Sequence, residues 1–67
     1  MRVLISEFMD APAVQALQQR FDVQYAPELV EQRGALLAAV ADADALIVRN
    51  RTQVNAEVLA AAPRLVA

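Results

Sequence analysis

The chain has 67 residues, of which 58% are hydrophobic, and a formal net charge of −2. It is therefore one domain at most, and the charge argues against a nucleic-acid partner, which would favour a basic surface. Cysteine and histidine are both absent, which excludes disulfides, thiolate chemistry and the usual zinc sites. With no apolar run near the roughly 18 residues that span a bilayer and no secretory signal pattern, we expect a cytoplasmic protein without a membrane partner. All six basic residues are arginine, a bias typical of GC-rich bacterial genes.

The first predicted strand is Val3–Ile5, and a helix follows it. Asp10 is a suitable N-cap for this helix, and Pro12 lies in the first turn, where its missing N–H costs nothing. One face of the helix is apolar because hydrophobic residues recur at i, i+3 and i+7. These residues are Val14, Leu17 and Phe21.

The second strand is predicted at Phe21–Tyr25. Pro27–Val30 fits either a connector or a single turn, and Gly34 weakens any long helix drawn through it. We therefore place the second helix at Ala35–Ala41. Its apolar face would consist of Leu36, Leu37 and Val40.

The residues Asp42–Asp44 interrupt this helix before a third strand, Ala45–Val48. The third helix begins cleanly after Asn55, a good N-cap, and ends at Pro63. Val54 and Leu59 have the spacing of a hydrophobic staple around that cap. The order β-α-β-α-β-α, with nearly continuous apolar strands, predicts an open parallel α/β sheet with helices on both faces.

The last residues, Arg64–Ala67, resemble the entry to a fourth strand. A three-stranded sheet with an unfinished edge would leave apolar surface exposed. We interpret the chain as the N-terminal part of a larger protein, and we expect it to be poorly stable or to self-associate when alone. The alternative is a complete small domain.

Ligands of open α/β sheets bind beyond the carboxyl ends of the strands, and there the chain places Arg49, Asn50, Arg51 and Thr52. A guanidinium at a strand end can bind a carboxylate or phosphate through two hydrogen bonds. Backbone N–H groups of the turn could also favour an anion. Arg49 continues the strand directly and is the better candidate, whereas Arg51 is more peripheral. The alternative is that both arginines are solvated and pair with acidic neighbours, namely Asp42, Asp44 or Glu57.

Glu7 and Asp10 follow the first strand and allow a metal or phosphoryl site, but capping and solubility explain them better. A receiver-like phosphorylation site would need an aspartate where Arg49 stands. Without histidine, cysteine or lysine, no nucleophile–base pair can be assembled. Gly34 is the only glycine, so a glycine-rich phosphate loop is absent as well. We predict no catalytic residue, cofactor site or metal site within these residues.

Residues 45–67 read ALIVRNRTQVNAEVLAAAPRLVA, which resembles the N-terminal region of the D-isomer-specific 2-hydroxyacid dehydrogenases, in particular the phosphoglycerate-dehydrogenase-like branch. The opening RVLISEFMD and the DADALIVR junction fit as well. The resemblance implies a flavodoxin-like (Rossmann-like) substrate domain, here incomplete at its C-terminal end. It also implies hydride transfer between NAD and a 2-hydroxy or 2-keto acid by a homodimeric parent enzyme.

By the same resemblance, Arg49 contacts the acidic groups of the substrate and Asn50 lies beside it, at a position that is often serine in the family. The catalytic residues and the NAD-binding domain of the family would lie outside this chain, which alone is expected to be inactive and to bind no NAD. The alternative function is a non-enzymatic flavodoxin-like module, either receiver-like or an excised or designed subdomain, with no ligand site.

Overall fold

A three-stranded parallel sheet forms the centre of the computed structural model, which describes residues 1–49 and 51–66. Strand β1 (Arg2–Ile5) lies between β2 (Asp22–Tyr25) and β3 (Ala45–Ile47). In this register Val3 lies opposite both Val23 and Ala45. The order β2-β1-β3 is the one with which flavodoxin-like sheets begin, and the predicted parallel α/β architecture is confirmed.

In the part of the chain that the structure describes, three α-helices and one 3₁₀ helix connect and follow the strands. They are α1 (Ala11–Gln18), the 3₁₀ helix (Pro27–Glu31), α2 (Arg33–Val40) and α3 (Ala56–Ala61). Within residues 1–49 and 51–66, no helix is both long enough and apolar enough to cross a membrane.

Helix α1 covers one face of the sheet. Alternate residues of a strand point to opposite faces, so Val3 and Ile5 share a face and pack with Val14 of α1 and Ala45 of β3. Leu17 adds a partly buried side chain to this cluster. Val14 and Leu17 of the predicted apolar face therefore pack against the sheet.

Leu4 points to the other face of the sheet, where the 3₁₀ helix, α2 and α3 meet. There it belongs to a buried cluster with Leu29, Leu36, Val40 and Ala62. Helices thus cover both faces, as the sequence predicts. Burying β1 from both sides explains why Val3–Ile5 is continuously apolar and does not alternate with polar residues.

Several predicted boundaries differ from the structure by one to three residues. Helix α1 ends at Gln18, so Phe21 lies outside it, just before β2, and remains 38% exposed. Asp10 occupies the N-cap position but makes no side-chain capping bond; its carbonyl accepts from the N–H of Val14 at 3.1 Å. The ends of short elements depend on tertiary contacts, which a local pattern does not contain.

The second helix begins earlier than predicted. Arg33 is its first residue, so Gly34 lies inside the first turn. A Cβ at Gly34 would meet nothing within 4 Å, so no close packing requires a glycine at this position. The strand predicted to reach Val48 ends at Ile47. The segment at Pro27, predicted as a connector or a single turn, forms the short 3₁₀ helix, which fits the second of these alternatives.

The chain returns to the sheet after α3. The N–H of Val66 donates to the carbonyl of Asp44 at 2.8 Å, which places Val66 beside the start of β3. Arg64 Nε lies 3.8 Å from Asp44 Oδ1. These contacts agree with the predicted entry to a fourth strand next to β3, although Ala67 lies outside the described residues.

Asn55 caps α3 as predicted. Its Oδ1 accepts from the N–H of Val58 at 3.3 Å and from Arg33 Nη2 at 3.0 Å. The same arginine, from α2, also contacts Glu57 Oε1 at 3.0 Å, so α2 and the start of α3 are tied together. The predicted staple is not a buried contact, because Val54 and Leu59 are 48% and 57% exposed.

We expect Asn55→Ala to lower the free energy of unfolding by about 1 kcal/mol, the usual cost of removing an N-cap side chain. Both the Val58 N–H and one Arg33 donor lose their acceptor in this variant. Urea unfolding followed by circular dichroism measures the loss. Asn55→Asp keeps an acceptor at the cap and should retain most of the stability; a loss as large as that of the alanine variant would contradict the role assigned to the cap.

Candidate functional site

The carboxyl ends of β1 and β3 place two loops side by side. The first loop opens with Ser6 and Glu7, which are 0% and 4% exposed. The second contains Arg49, Arg51 and Thr52; Asn50, the other predicted substrate-binding residue, lies outside the described residues. Because β1 and β3 are parallel neighbours, residues far apart in sequence meet at this edge.

Glu7 holds the second loop by its backbone. Glu7 Oε2 accepts from the N–H groups of Arg49 at 2.8 Å and Thr52 at 2.9 Å. Glu7 Oε1 accepts from the N–H of Arg51 at 3.1 Å. A single side chain from the end of β1 therefore fixes the path of the chain on both sides of position 50.

The pKa of Glu7 reflects two opposing effects. Burial disfavours the carboxylate and by itself raises the pKa, whereas the hydrogen bonds from the backbone of Arg49, Thr52 and Arg51 and from the Thr52 side chain lower it to about 2. Glu7 is consequently ionised at neutral pH. The prediction that Glu7 serves solubility is wrong, because a buried carboxylate with three backbone partners organises the loop instead.

The same geometry corrects a second expectation. The sequence suggested that backbone N–H groups of the turn would bind an anionic ligand, but those of Arg49, Arg51 and Thr52 are already bound to Glu7. These three N–H groups are therefore not available to a ligand. Among the described residues, no group of three or more acidic, histidine or cysteine side chains could hold a metal ion.

The buried hydroxyl of Ser6 adds a second link between the loops. Its Oγ lies 3.2 Å from Thr52 Oγ1, so one hydroxyl donates to the other. The Ser6 N–H also donates to the carbonyl of Ile47 at 3.2 Å, which extends the pairing of β1 with β3 by one residue. Ser6 therefore connects the Thr52 hydroxyl to the end of the sheet.

The two arginines have different environments. Arg51 Nη2 lies 3.2 Å from Glu31 Oε1, and both side chains are mostly exposed, at 60% and 72%. Arg49 is also exposed, but its guanidinium has no ion-pair partner within residues 1–49 and 51–66. An exposed pair such as Arg51–Glu31 stabilises little. Of these two arginines, only Arg49 is without an ion pair among the described residues.

The partners proposed for solvated arginines are engaged elsewhere. Glu57 pairs with Arg33 and Asp44 with Arg64, so neither pairs with Arg49 or Arg51. The suggested pairings with Glu57 and Asp44 are therefore wrong, whereas both arginines are exposed, as the solvated alternative expects. Asp42 is exposed and lies at the end of α2.

Two cavities flank the Arg49 side chain. The larger has a volume of about 350 Å³ and the smaller about 180 Å³. Glu7, Phe8 and Arg49 line both of them. Phe8 is 62% exposed, which is high for an aromatic side chain. Asp10, which reaches the larger cavity, is exposed and makes no contact of the kind described for Glu7.

Tyr25 holds the backbone of Met9, a residue that lines the larger cavity. Its hydroxyl donates to the carbonyl of Met9 at 3.2 Å and accepts from the Met9 N–H at 3.1 Å. The sequence places Glu7 after the first strand but assigns it to capping and solubility, and it predicts no role for Tyr25 or Ser6. A signal was available for Glu7 and Ser6, because polar residues directly after a buried strand lie at the ligand-binding edge.

A nicotinamide dinucleotide does not fit the described residues. The pyrophosphate of such a cofactor needs a glycine-rich turn at a helix N-terminus. Gly34 is the only glycine in the sequence, it lies within α2, and no described residue has a positive φ angle. What the site can do is bind an acidic group through Arg49.

Comparisons with known proteins match the chain to a family and to several relatives. Residues 3–67 match the family described as D-isomer specific 2-hydroxyacid dehydrogenase, catalytic domain. Over 63 residues, 94% of the chain, it is 51% identical to (S)-sulfolactate dehydrogenase of Chromohalobacter salexigens and covers 20% of that protein. It is 48% identical to D-3-phosphoglycerate dehydrogenase of Mycobacterium bovis over the same share of the chain and covers 12% of that protein. The chain thus spans a small part of the length of these relatives.

Proposed function

The chain belongs to the D-isomer specific 2-hydroxyacid dehydrogenase family, and from this premise we propose that it is part of an oxidoreductase that transfers hydride between NAD and a 2-hydroxy or 2-keto acid. The relatives are named for sulfolactate and 3-phosphoglycerate, both of which are anionic hydroxy acids. An acidic substrate of that class suits a site whose available side chain is a guanidinium. We further propose a cytoplasmic, homodimeric parent enzyme.

Within this enzyme the segment binds and orients the substrate. Arg49 donates hydrogen bonds to the substrate carboxylate or phosphate, and Asn50 contributes beside it. The observation that supports this role is that Arg49 lines a cavity of about 350 Å³ and has no ion pair within the described ranges. Charged hydrogen bonds between a guanidinium and a carboxylate combine strength with orientation.

The remaining chemistry belongs to other parts of the proposed enzyme. NAD, when bound, accepts or supplies the hydride, and we place its binding in a separate domain because the residues of this chain do not fit it. The substrate domain of this chain then supplies one wall of the cleft. Its own contribution is to hold the acid by its anionic group while the reacting carbon faces the cofactor.

This function predicts that Arg49→Ala in the full-length enzyme raises KM by about 10- to 150-fold, the equivalent of the 1.5–3 kcal/mol typical of a hydrogen bond to a charged group. The effect should fall on KM more than on kcat, since the lost contact holds substrate and transition state alike. Steady-state kinetics with D-3-phosphoglycerate and with (S)-sulfolactate, each with NAD, measure it.

Arg51→Ala is the matched control. It removes the same charge two residues away, where the guanidinium already pairs with Glu31, and it should change KM much less. Small and equal effects of the two variants with every acid that the enzyme uses would reject Arg49 as a substrate contact. A parent enzyme that oxidises no hydroxy acid would favour the non-enzymatic module.

A further inference from the structure

We infer that Glu7 is a positioning residue for substrate binding, whose buried carboxylate holds the loop that carries Arg49 in the shape that presents its guanidinium to the cavity. The inference rests on the proposed function, since it concerns how Arg49 is placed for an acidic substrate. Glu7 itself need not touch the substrate.

The contacts of Glu7 define the loop at three points. It binds the backbone N–H groups of Arg49, Arg51 and Thr52 at 2.8–3.1 Å, and β3 ends just before them, at Ile47. The Arg49 backbone is therefore attached to the end of β1 as well as to its own strand. Because the loop is already ordered, it loses less conformational entropy when Arg49 binds a ligand.

The carboxylate also determines which groups remain for a substrate. The N–H groups of Arg49, Arg51 and Thr52 would together suit an anion, but here the anion that they bind is Glu7. These N–H groups are then closed to the substrate, whereas the guanidinium of Arg49 has no ion pair within residues 1–49 and 51–66. Loss of that carboxylate would free the N–H groups and let the loop change its path.

Glutamine is the most informative replacement because it keeps the size of the side chain and removes the charge. An amide has one oxygen acceptor, and its NH₂ group would oppose one of the three backbone donors. We expect Glu7→Gln in the full-length enzyme to raise KM for D-3-phosphoglycerate or (S)-sulfolactate by about tenfold or more, since a misplacement of about 1 Å can cost about 100-fold. In the double variant with Arg49→Ala, KM should equal that of Arg49→Ala alone, because no guanidinium remains to be positioned.

Val40→Ala serves as the control for destabilisation. Val40 is fully buried in α2 on the other face of the sheet from α1, so its truncation weakens the fold without touching the loop. It should reduce the amount of active enzyme and leave KM unchanged. A KM that rises equally in Val40→Ala would mean that Glu7 acts only through stability, and the inference would be wrong.

The outcomes separate this inference from the proposed function. If Arg49→Ala raises KM but Glu7→Gln does not, or if the two effects multiply in the double variant, the positioning role is rejected and the proposed function stands. If Arg49→Ala has no effect, the proposed function fails first. If Glu7→Gln does not fold, Glu7→Asp replaces it. This variant keeps the charge on a side chain that is one methylene shorter. An unchanged KM would reject the inference, and a raised KM would support it.

Discussion

Replacing Glu7 by glutamine is expected to lower the free energy of unfolding by about 3 kcal/mol, because an amide cannot accept from three backbone N–H groups at once. The site is 4% exposed, so water does not readily replace the lost acceptor. At least one N–H of the loop is left opposite another donor. Urea unfolding of the unmutated protein and of the variant at neutral pH, followed by circular dichroism, measures the difference in unfolding free energy.

Glu28→Gln provides the matched control for this change. Glu28 is an exposed carboxylate in the 3₁₀ helix, and neutralising it should alter stability by no more than about 0.5 kcal/mol, as is usual for surface substitutions. If both variants lost the same small amount, the carboxylate of Glu7 would not be the structural group that its contacts indicate.

The loss of unfolding free energy in Glu7→Gln should depend on pH in a defined direction. The folded-state pKa of Glu7 is lowered from 4.5 to about 2, so its carboxylate stabilises the fold fully above the unfolded-state pKa and loses that contribution as the pH falls through the folded-state pKa. The difference in unfolding free energy between the unmutated protein and Glu7→Gln should therefore be constant above about pH 5 and shrink between about pH 4.5 and pH 2. A difference that widened on acidification would contradict the assigned ionisation.

The fold was largely predictable because its signals are local or periodic. A strand buried on both faces is continuously apolar, as Val3–Ile5 is, and a capped helix begins at a recognisable residue, as α3 does at Asn55. What failed were details that depend on distant contacts. Phe21 has the spacing of the α1 face, yet the helix ends at Gln18 and the chain turns there to begin β2 at Asp22.

The site was predictable only in part, for a related reason. The edge of the sheet follows from the order of the strands, so Arg49 could be placed there from the sequence. The role of Glu7 could not, since its partners are 42 to 45 residues away and are backbone atoms, which no side-chain pattern records. Whether a carboxylate after a strand is solvated or buried depends on the neighbouring loop, and a sequence window contains only one of the two loops.

Truncating Leu4 to alanine is expected to cost about 2–5 kcal/mol of unfolding free energy, the usual range for a buried leucine. Leu4 is 1% exposed in the central strand, where it packs against side chains of the 3₁₀ helix and α2. Native domains are stable by only about 5–15 kcal/mol, and a 67-residue chain has a small core. Such a loss should move the urea transition to much lower concentration or abolish its cooperativity.

Leu59→Ala makes the comparison within the same chain. Leu59 is 57% exposed on α3, and alanine favours the helix. The unfolding free energy of the variant should therefore stay within about 0.5 kcal/mol of that of the unmutated protein. The two substitutions delete the same atoms, and only burial distinguishes them. Equal losses of unfolding free energy would mean that Leu59 is covered in solution, as it would be if the chain self-associates through α3. Burial in an assembly depends on protein concentration. Unfolding repeated at several protein concentrations would then show a transition that moves with dilution.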